Sequence, residues 1–305
     1  GNWSNLLVCF RMKQGGTVAT LFDGSGNYYH GYMNNFSLPS DFSNSDPYLT
    51  WTGSSSETWN TASNWHSGSV PGTYSHVSIP SGVVSSPSLS GSASVYNLYV
   101  ENNATLKINK DGQLTVNNGL FNRAGSAGLL IRADSNGMGS LIHHFDGVEG
   151  TVECYFEEDQ WHGVTPSVSG ASADVFEGIY LKYYTEVDSS WTYITNPNQS
   201  MEAARGYFAW KYDDPALISW EGTLNNGDLT LNLSYTSTAS HLGQGWNMIG
   251  NPYPSSVDFD GNWISSNLDG TIYLYDGAQY VNWNPSTGAG SHGSGYIPPG
   301  QAFWV

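Results

Sequence analysis

From Ala93 to His144 the chain repeats one small unit: a short run with alternating apolar residues, then a turn rich in Asn, Asp or Gly. The runs are Val95 to Val100, Ala104 to Ile108, Gln113 to Val116, Gly119 to Asn122, Leu129 to Arg132 and Ser140 to His143. Between them stand Asn102-Asn103, Asp111-Gly112, Asn117-Asn118, Ala124-Gly125 and Asn136-Gly137. Runs this short, bounded by turn formers, are strands rather than helices. At this even pitch they predict a β-solenoid, a parallel β-helix in which Leu98, Val100, Leu106, Ile108, Leu114, Val116, Leu120, Leu130 and Leu141 form one inward ladder. Antiparallel hairpins are the alternative, which Asp111-Gly112 taken alone favours.

Upstream, the apolar runs Leu6 to Phe10 and Thr17 to Phe22 read as a hairpin, and the following Asp23 to Asn27 reads as a turn that resembles the start of a calcium loop without its later ligands. The Pro39 to Pro47 cluster is a linker. Next come Trp51, Trp59 and Trp65. They read either as a row of sugar-stacking rings or, the favoured reading, as a folded cap that shields the open end of a core.

After Gly150 the pattern lengthens and echoes itself. Trp161 matches Trp246, Pro166 matches Pro252, and Ile179-Tyr180-Leu181 matches Ile272-Tyr273-Leu274. Trp191 matches Trp283, and the run Gly206 to Trp210 matches Gly300 to Trp304. Ordered landmarks with drifting offsets imply two related halves of an antiparallel β-sandwich with loop insertions between fixed strands. Between the halves, Glu221 to Leu233 reads as a hairpin, from its Asn225-Asn226-Gly227 turn and the alternation of Leu229, Leu231 and Leu233. The fold class expected is therefore all-β: an N-terminal β fragment over 1–47, a β-solenoid-like segment with a Trp-rich cap over 48–149, and a duplicated antiparallel β-sandwich over 150–305, its halves about 150–235 and 236–305. The chain opens mid-pattern at Gly1-Asn2-Trp3 and closes on the apolar Ala302 to Val305, so a window of a longer polypeptide, with 1–47 the end of an upstream domain, is expected.

Composition narrows the function. Nine Lys and Arg stand against 26 Asp and Glu, a net charge of -17, and no basic run occurs. That excludes nucleic acid and anionic membrane as partners, because phosphate binding needs clustered cations. No apolar stretch is long enough to span a membrane. Charged residues are only 11% of the chain. The surface must then be built of Asn, Ser, Thr, Gly and Tyr, as in secreted β-proteins. Cys9 and Cys154 form neither a disulfide framework nor a zinc site, and whether they pair is left open.

The residues also carry a family pattern. Trp51 with Gly53, Trp59-Asn60, Asn64-Trp65, Val70-Pro71, Ile79-Pro80, Leu98-Tyr99-Val100, Trp161-His162, Gly206-Tyr207 and above all Gly245-Trp246-Asn247-Met248-Ile249-Gly250-Asn251-Pro252-Tyr253-Pro254 resemble the large secreted surface proteins of Bacteroidota. The resemblance runs from about Trp51 to the C-terminus. It implies export by the type IX secretion system, a secreted or cell-surface location, and an adhesin-like role or a place beside polysaccharide-degrading modules.

For chemistry, Glu157-Glu158-Asp159 beside Trp161-His162 is the densest ionisable cluster, a candidate acid and base for glycoside hydrolysis. Neighbours in a strand point to opposite faces, so a solvated acidic turn is favoured. His143-His144 with His162 or Asp146 lacks the spacing of a zinc motif, and calcium remains the one candidate cofactor. Tyr28, Tyr29, Tyr32, Trp191, Tyr280 and Trp283, in or near turns, are candidate ligand-stacking rings. In the Asn251-Pro252-Tyr253-Pro254 turn a buried Asn247 or Asn251 is expected to satisfy bare backbone groups. The function expected is a non-catalytic, structural or adhesive extracellular region. The alternatives are a glycan-binding module or an accessory region of a polysaccharide-degrading enzyme, with polysaccharide or matrix proteins as partners and self-assembly through exposed strand edges.

Overall fold

A computed structural model describes residues 20–21, 31–32, 48–237, 245–260 and 267–305. It is all-β: among the described residues there is no α-helix, only three short 3-10 turns. The chain divides into two compact units, 1–130 with 141–148 and 131–140 with 149–305.

In the first unit β1 (Thr20–Leu21) pairs antiparallel with β2 (Gly31–Tyr32). The expected partner run Leu6 to Phe10, the calcium-like turn and the linker lie outside the described residues. The remaining strands are β3 (Tyr48–Thr50), β4 (His76–Ile79), β5 (Ser88–Leu89), β6 (Ser92–Val100), β7 (Leu106–Ile108), β8 (Gln113–Asn122) and β9 (Leu129–Ile131). After the small hairpin of β10 (Ala133–Asp134) and β11 (Gly137–Met138), which belongs to the second unit, comes β12 (Ser140–Ile142). A β-solenoid of about four turns begins at residue 76.

The coils are parallel. Strands β3, β4, β6 and β8 stack in register, with Val77 over Leu98 over Leu120, while β5 and β7 run parallel in a second sheet. The single inward ladder of the sequence reading is thus two ladders, one per sheet. Leu98, Val100, Leu106, Ile108, Leu114, Val116, Leu120 and Leu141 are all buried, but Leu130 is not fully so; Leu129 and Ile131 point inward instead. All three residues of that run are apolar, so alternation could not fix its phase. Asn117-Asn118 is no turn either. It lies inside β8, where a register shift opposite Val95 and Asn97 lets Asn118 Nδ2 donate to Asn97 Oδ1 at 2.8 Å. Asn97 Nδ2 in turn meets His76 Nδ1 at 2.8 Å, so a polar ladder runs across β4, β6 and β8.

The three tryptophans of the expected cap pack together as one buried cluster. Trp51, Trp59 and Trp65 are buried, with Trp59 and Trp65 edge to face at 4.7 Å. Two of the three indoles donate to carbonyls of the same region, Trp51 to Ser85 and Trp65 to Trp59. Buried Asn64 ties the loop beneath them by accepting from the N–H groups of Ser55 and Ser56.

The second unit begins with β13 (Glu149–Phe156). Then come β14 (Trp161–Val164), β15 (Tyr180–Thr185), β16 (Ser190–Ile194) and β17 (Tyr207–Trp210), followed by β18 (Ala216–Thr223), which pairs antiparallel with β13 along its whole length. The rest is β19 (Met248–Gly250), β20 (Val257–Asp258), β21 (Ile272–Tyr275), β22 (Tyr280–Trp283), β23 (Tyr296–Ile297) and β24 (Ala302–Trp304). One four-stranded sheet runs β14-β17-β15-β16 and the other β19-β24-β21-β22. The order is the same in both, first, last, second, third, as two related halves require.

Registers correct two of the five matched landmarks. In the first sheet Trp161 lies opposite Trp210, whereas in the second Met248 lies opposite Trp304. With Trp210 matched to Trp304, the counterpart of Trp161 is Met248 and not Trp246. Likewise Trp191 lies opposite Tyr184 on β15, but Trp283 lies opposite Ile272 on β21, so these two tryptophans are not equivalent. The expected hairpin at Glu221 to Leu233 is also absent: β18 pairs with β13, and 225–237 contains no strand. Asn225 explains the break. Its side-chain amide donates to the carbonyls of Pro166 (3.1 Å) and Pro252 (3.0 Å), so it joins the two echoed proline turns rather than closing a hairpin.

Candidate functional site

Alternation in the Tyr-rich strands sets two chemically different faces. On β15, Tyr180, Lys182 and Tyr184 share one face, while Leu181 is buried on the other. The registers align that first face with Trp161 of β14, Phe208 and Trp210 of β17, and Trp191 and Tyr193 of β16. In the second sheet the corresponding face carries Tyr273, Tyr275 and Trp304, with Tyr280 opposite Tyr275. Its other face buries Ile272, Leu274, Val281 and Phe303 in a separate core.

The two aromatic faces meet. Tyr184 packs edge to face on Trp304 at 5.2 Å, Trp191 does so at 5.8 Å, and Phe208 meets Tyr275 at 5.9 Å. Gly163 lets the sheets approach, because a Cβ there would lie 2.9 Å from the Ala302 carbonyl oxygen. Where they diverge they leave a cleft of about 460 Å³ lined by Tyr184, Trp191, Trp246, Tyr273, Tyr280 and Trp304. That volume suits a small ligand or one or two units of a polymer. Trp246 (41% exposed) and Tyr280 (53% exposed) stand at its mouth, and Trp246 packs edge to face on Tyr273 at 5.3 Å. Burial pushes the Tyr280 phenol above its ordinary pKa, so it stays a neutral donor and acceptor.

One wall is held by a carboxylate. Glu186, in the turn after β15, is 3% exposed and accepts from the Thr236 N–H (2.8 Å), the Thr236 hydroxyl (3.0 Å) and the Gly245 N–H (3.0 Å). Burial alone would raise its pKa. The N–H groups of Gly245 and Thr236, with the Ser234 and Thr236 hydroxyls, outweigh burial and hold it down at about 2. Gly245 precedes Trp246 and adopts φ +81, with the Tyr235 ring against it, so Glu186 fixes the backbone that presents the tryptophan. Asn247, one residue beyond, accepts from the Ser234 N–H and donates to the carbonyls of Ser234 and Gly245. Buried Asn251 donates to the carbonyls of Ser255, Ile297 and Pro298 and accepts from the Tyr253 N–H. Asn251 therefore serves the proline turn as expected, whereas Asn247 is only half-buried and ties Gly245 to Ser234 instead.

Of the ring candidates, Trp191 and Tyr280 line the cleft. Trp283 does not: its register puts it on the opposite face, packed against the second core, with its indole N–H donating to the Phe259 carbonyl at 3.1 Å. Tyr28 and Tyr29 lie outside the described residues, and for Tyr32 only the backbone, in β2, is described. Sequence reasoning missed Tyr184, Trp246, Tyr273 and Trp304. Alternation in β15 and β21 marks the faces of Tyr184 and Tyr273, but nothing in the sequence says that those faces meet.

The other clusters offer no comparable site. Glu157 to Asp159 form the connection from β13 to β14, with Asp159 at φ +57. His162 is tied through Nε2 to the Glu157 carbonyl oxygen at 2.9 Å, and burial lowers its pKa. Burial, with His144 nearby, lowers His143 to about 4. Cys154 is a buried free thiol pushed up to about 12 by burial, while Cys9 lies outside the described residues. Among the described residues no group of three or more His, Cys, Asp or Glu is placed to hold a metal ion, and no helix is long and apolar enough to cross a membrane.

No curated protein and no solved structure matches the chain. A family model does, over residues 50–288, and the chain therefore belongs to the family described as a domain of unknown function, DUF8693.

Proposed function

We propose that this chain is a non-catalytic, adhesive region of a secreted or cell-surface protein and that it binds glycan in the aromatic cleft of its second unit. The observation that carries this reading is the cleft itself, open at the surface and walled by six aromatic side chains, with Trp246 and Tyr280 at its mouth. The C–H faces of a sugar ring stack on aromatic rings, and phenol and indole groups hydrogen-bond its hydroxyls. Among the described residues the lining is wholly aromatic, which suits recognition by stacking. The low charge of the chain suits an extracellular surface. The solenoid, with its buried apolar ladders, polar side-chain ladder and tryptophan cluster, suits a structural role.

The test is affinity electrophoresis of the full chain through gels containing soluble polysaccharides, with Trp246→Ala and Tyr280→Ala as comparison. Retardation in at least one gel, lost in both variants, is the expected result. Unretarded migration in every gel would reject glycan binding and leave a purely structural role.

A further inference from the structure

Lys182 is unusual in this molecule. Acidic groups outnumber basic ones 26 to nine, and carboxylates are therefore plentiful as partners. Among the described residues Lys107, Lys110, Arg132, Arg205 and Lys211 each have one within 4 Å, and Arg123 has Glu101 close enough to oppose the rise that burial imposes on that acid's pKa. Lys182 has no ion pair and no hydrogen bond among the described residues. Its ammonium lies instead on aromatic faces, 3.7 Å from the Trp161 ring centre and 4.4 Å from that of Trp191, with Tyr193 at 5.9 Å. Burial lowers its pKa, and no acidic neighbour acts in the other direction.

Its position links this cation to the cleft. Lys182 and Tyr184 are alternate residues on one face of β15, and Trp191, which carries the ammonium on its ring, is itself a cleft wall. The neighbouring rings Tyr180 (61% exposed) and Tyr193 (56% exposed) extend the aromatic face beyond the region covered by the second sheet. Cation–π contact leaves the N–H donors of the ammonium unused. A partly dehydrated ammonium with no counter-ion among the described residues, beside a stacking surface, complements a ring that bears an anion.

We propose that the glycan is acidic: Lys182 pairs with a sugar carboxylate while the pyranose rings of the chain stack along Trp191 into the cleft. The inference rests on the glycan-binding reading above and names its ligand class. The net charge of -17 does not oppose it at contact range, because at physiological salt the repulsion of distant acids is screened beyond about 8 Å.

The experiment titrates the full chain by calorimetry with tetrasaccharides of galacturonate, glucuronate and mannuronate, each beside its carboxyl-reduced counterpart. The expected result is that at least one acidic form binds about tenfold or more tighter than its reduced form, the usual worth of one charge-assisted hydrogen bond. The advantage shrinks as salt is raised. Lys182→Met should bring the acidic form to about the affinity of the reduced one, and Lys182→Arg, which keeps the charge, should retain the preference. Equal binding of acidic and reduced forms by the wild type, binding of reduced forms only, or a preference that survives in Lys182→Met would each overturn the acidic ligand while leaving glycan binding intact. Absence of binding to all six probes, together with unretarded migration in every polysaccharide gel, would overturn both.

Discussion

The carboxylate of Glu186 accepts the backbone N–H of Gly245 at 3.0 Å, across 59 residues of chain. It fastens the turn that leaves β15 to the segment that carries Trp246, so one buried acid just past a strand of the first sheet positions a cleft wall just ahead of the second. A Glu186→Gln variant keeps the shape but loses the charge and turns one acceptor into a donor facing the Thr236 hydroxyl. It should lose about 2 kcal/mol of stability, the range for hydrogen bonds to a charged group. Because the folded pKa, about 2, lies below the usual carboxylate value of 4.5, this stability is complete above pH 4.5 and fades as pH falls toward 2. Denaturant titrations at pH 7 and pH 3 check it: wild type should weaken in acid and the variant should weaken less.

Asn225 bridges the two proline turns, so Asn225→Ala leaves the buried carbonyls of Pro166 and Pro252 without their amide donor. A cost of about 2–3 kcal/mol is expected. Asn225→Asp should not rescue it, since a carboxylate has no N–H to give. Thermal unfolding monitored by tryptophan fluorescence distinguishes the outcomes: a variant as stable as wild type would mean the bridge carries nothing.

Trp246 and Trp283 should behave as opposites. Trp246 is partly exposed at the cleft mouth, and Trp246→Ala should abolish glycan retention with a stability change below about 1 kcal/mol. Trp283 packs on the second core, and Trp283→Ala should cost about 3 kcal/mol while retention persists at temperatures where the variant is folded. Parallel melting curves and affinity gels report both quantities; the reverse pattern would place Trp283, and not Trp246, in the glycan site.

His143 adds a pH dependence in the first unit. Its side chain is buried, and burial with His144 close by lowers the folded pKa to about 4 from 6.5. Between these values the unfolded chain binds a proton that the folded chain does not, so stability is complete above pH 6.5 and falls as pH drops toward 4, by at most about 3 kcal/mol. Chemical denaturation from pH 7.5 to 4.5 should show this slope, and His143→Gln should flatten it.

Much of the architecture was legible because it is local. The alternation of Leu98 with Val100, Leu106 with Ile108 and Leu114 with Val116 needs only the two-residue period of a strand to place these side chains inward. Turn pairs divide the strands, and Asp111, left-handed at φ +64, shows why such residues stand at the corners. At Leu129-Leu130-Ile131 the same logic lost its phase, since a run apolar on both faces carries no alternation. The Glu221 to Leu233 hairpin failed for a different reason: its turn signal is real, with Gly227 at φ +69, but Asn225 is used by two turns remote in sequence.

The sequence by itself determined that the chain is all-β, that a solenoid precedes antiparallel sheets, and that its second part repeats an aromatic pattern. Strand period, turn chemistry and repeated landmarks are properties of neighbouring residues, and they survive without knowledge of the fold. Only the tertiary structure decided which aromatics work together. Trp191 and Tyr280 share a cleft and Trp283 does not, because pairing register selects the face and the meeting of two sheets turns one face into a site. That Lys182 has no carboxylate partner among the described residues was equally invisible, since it is a fact about space and not about sequence.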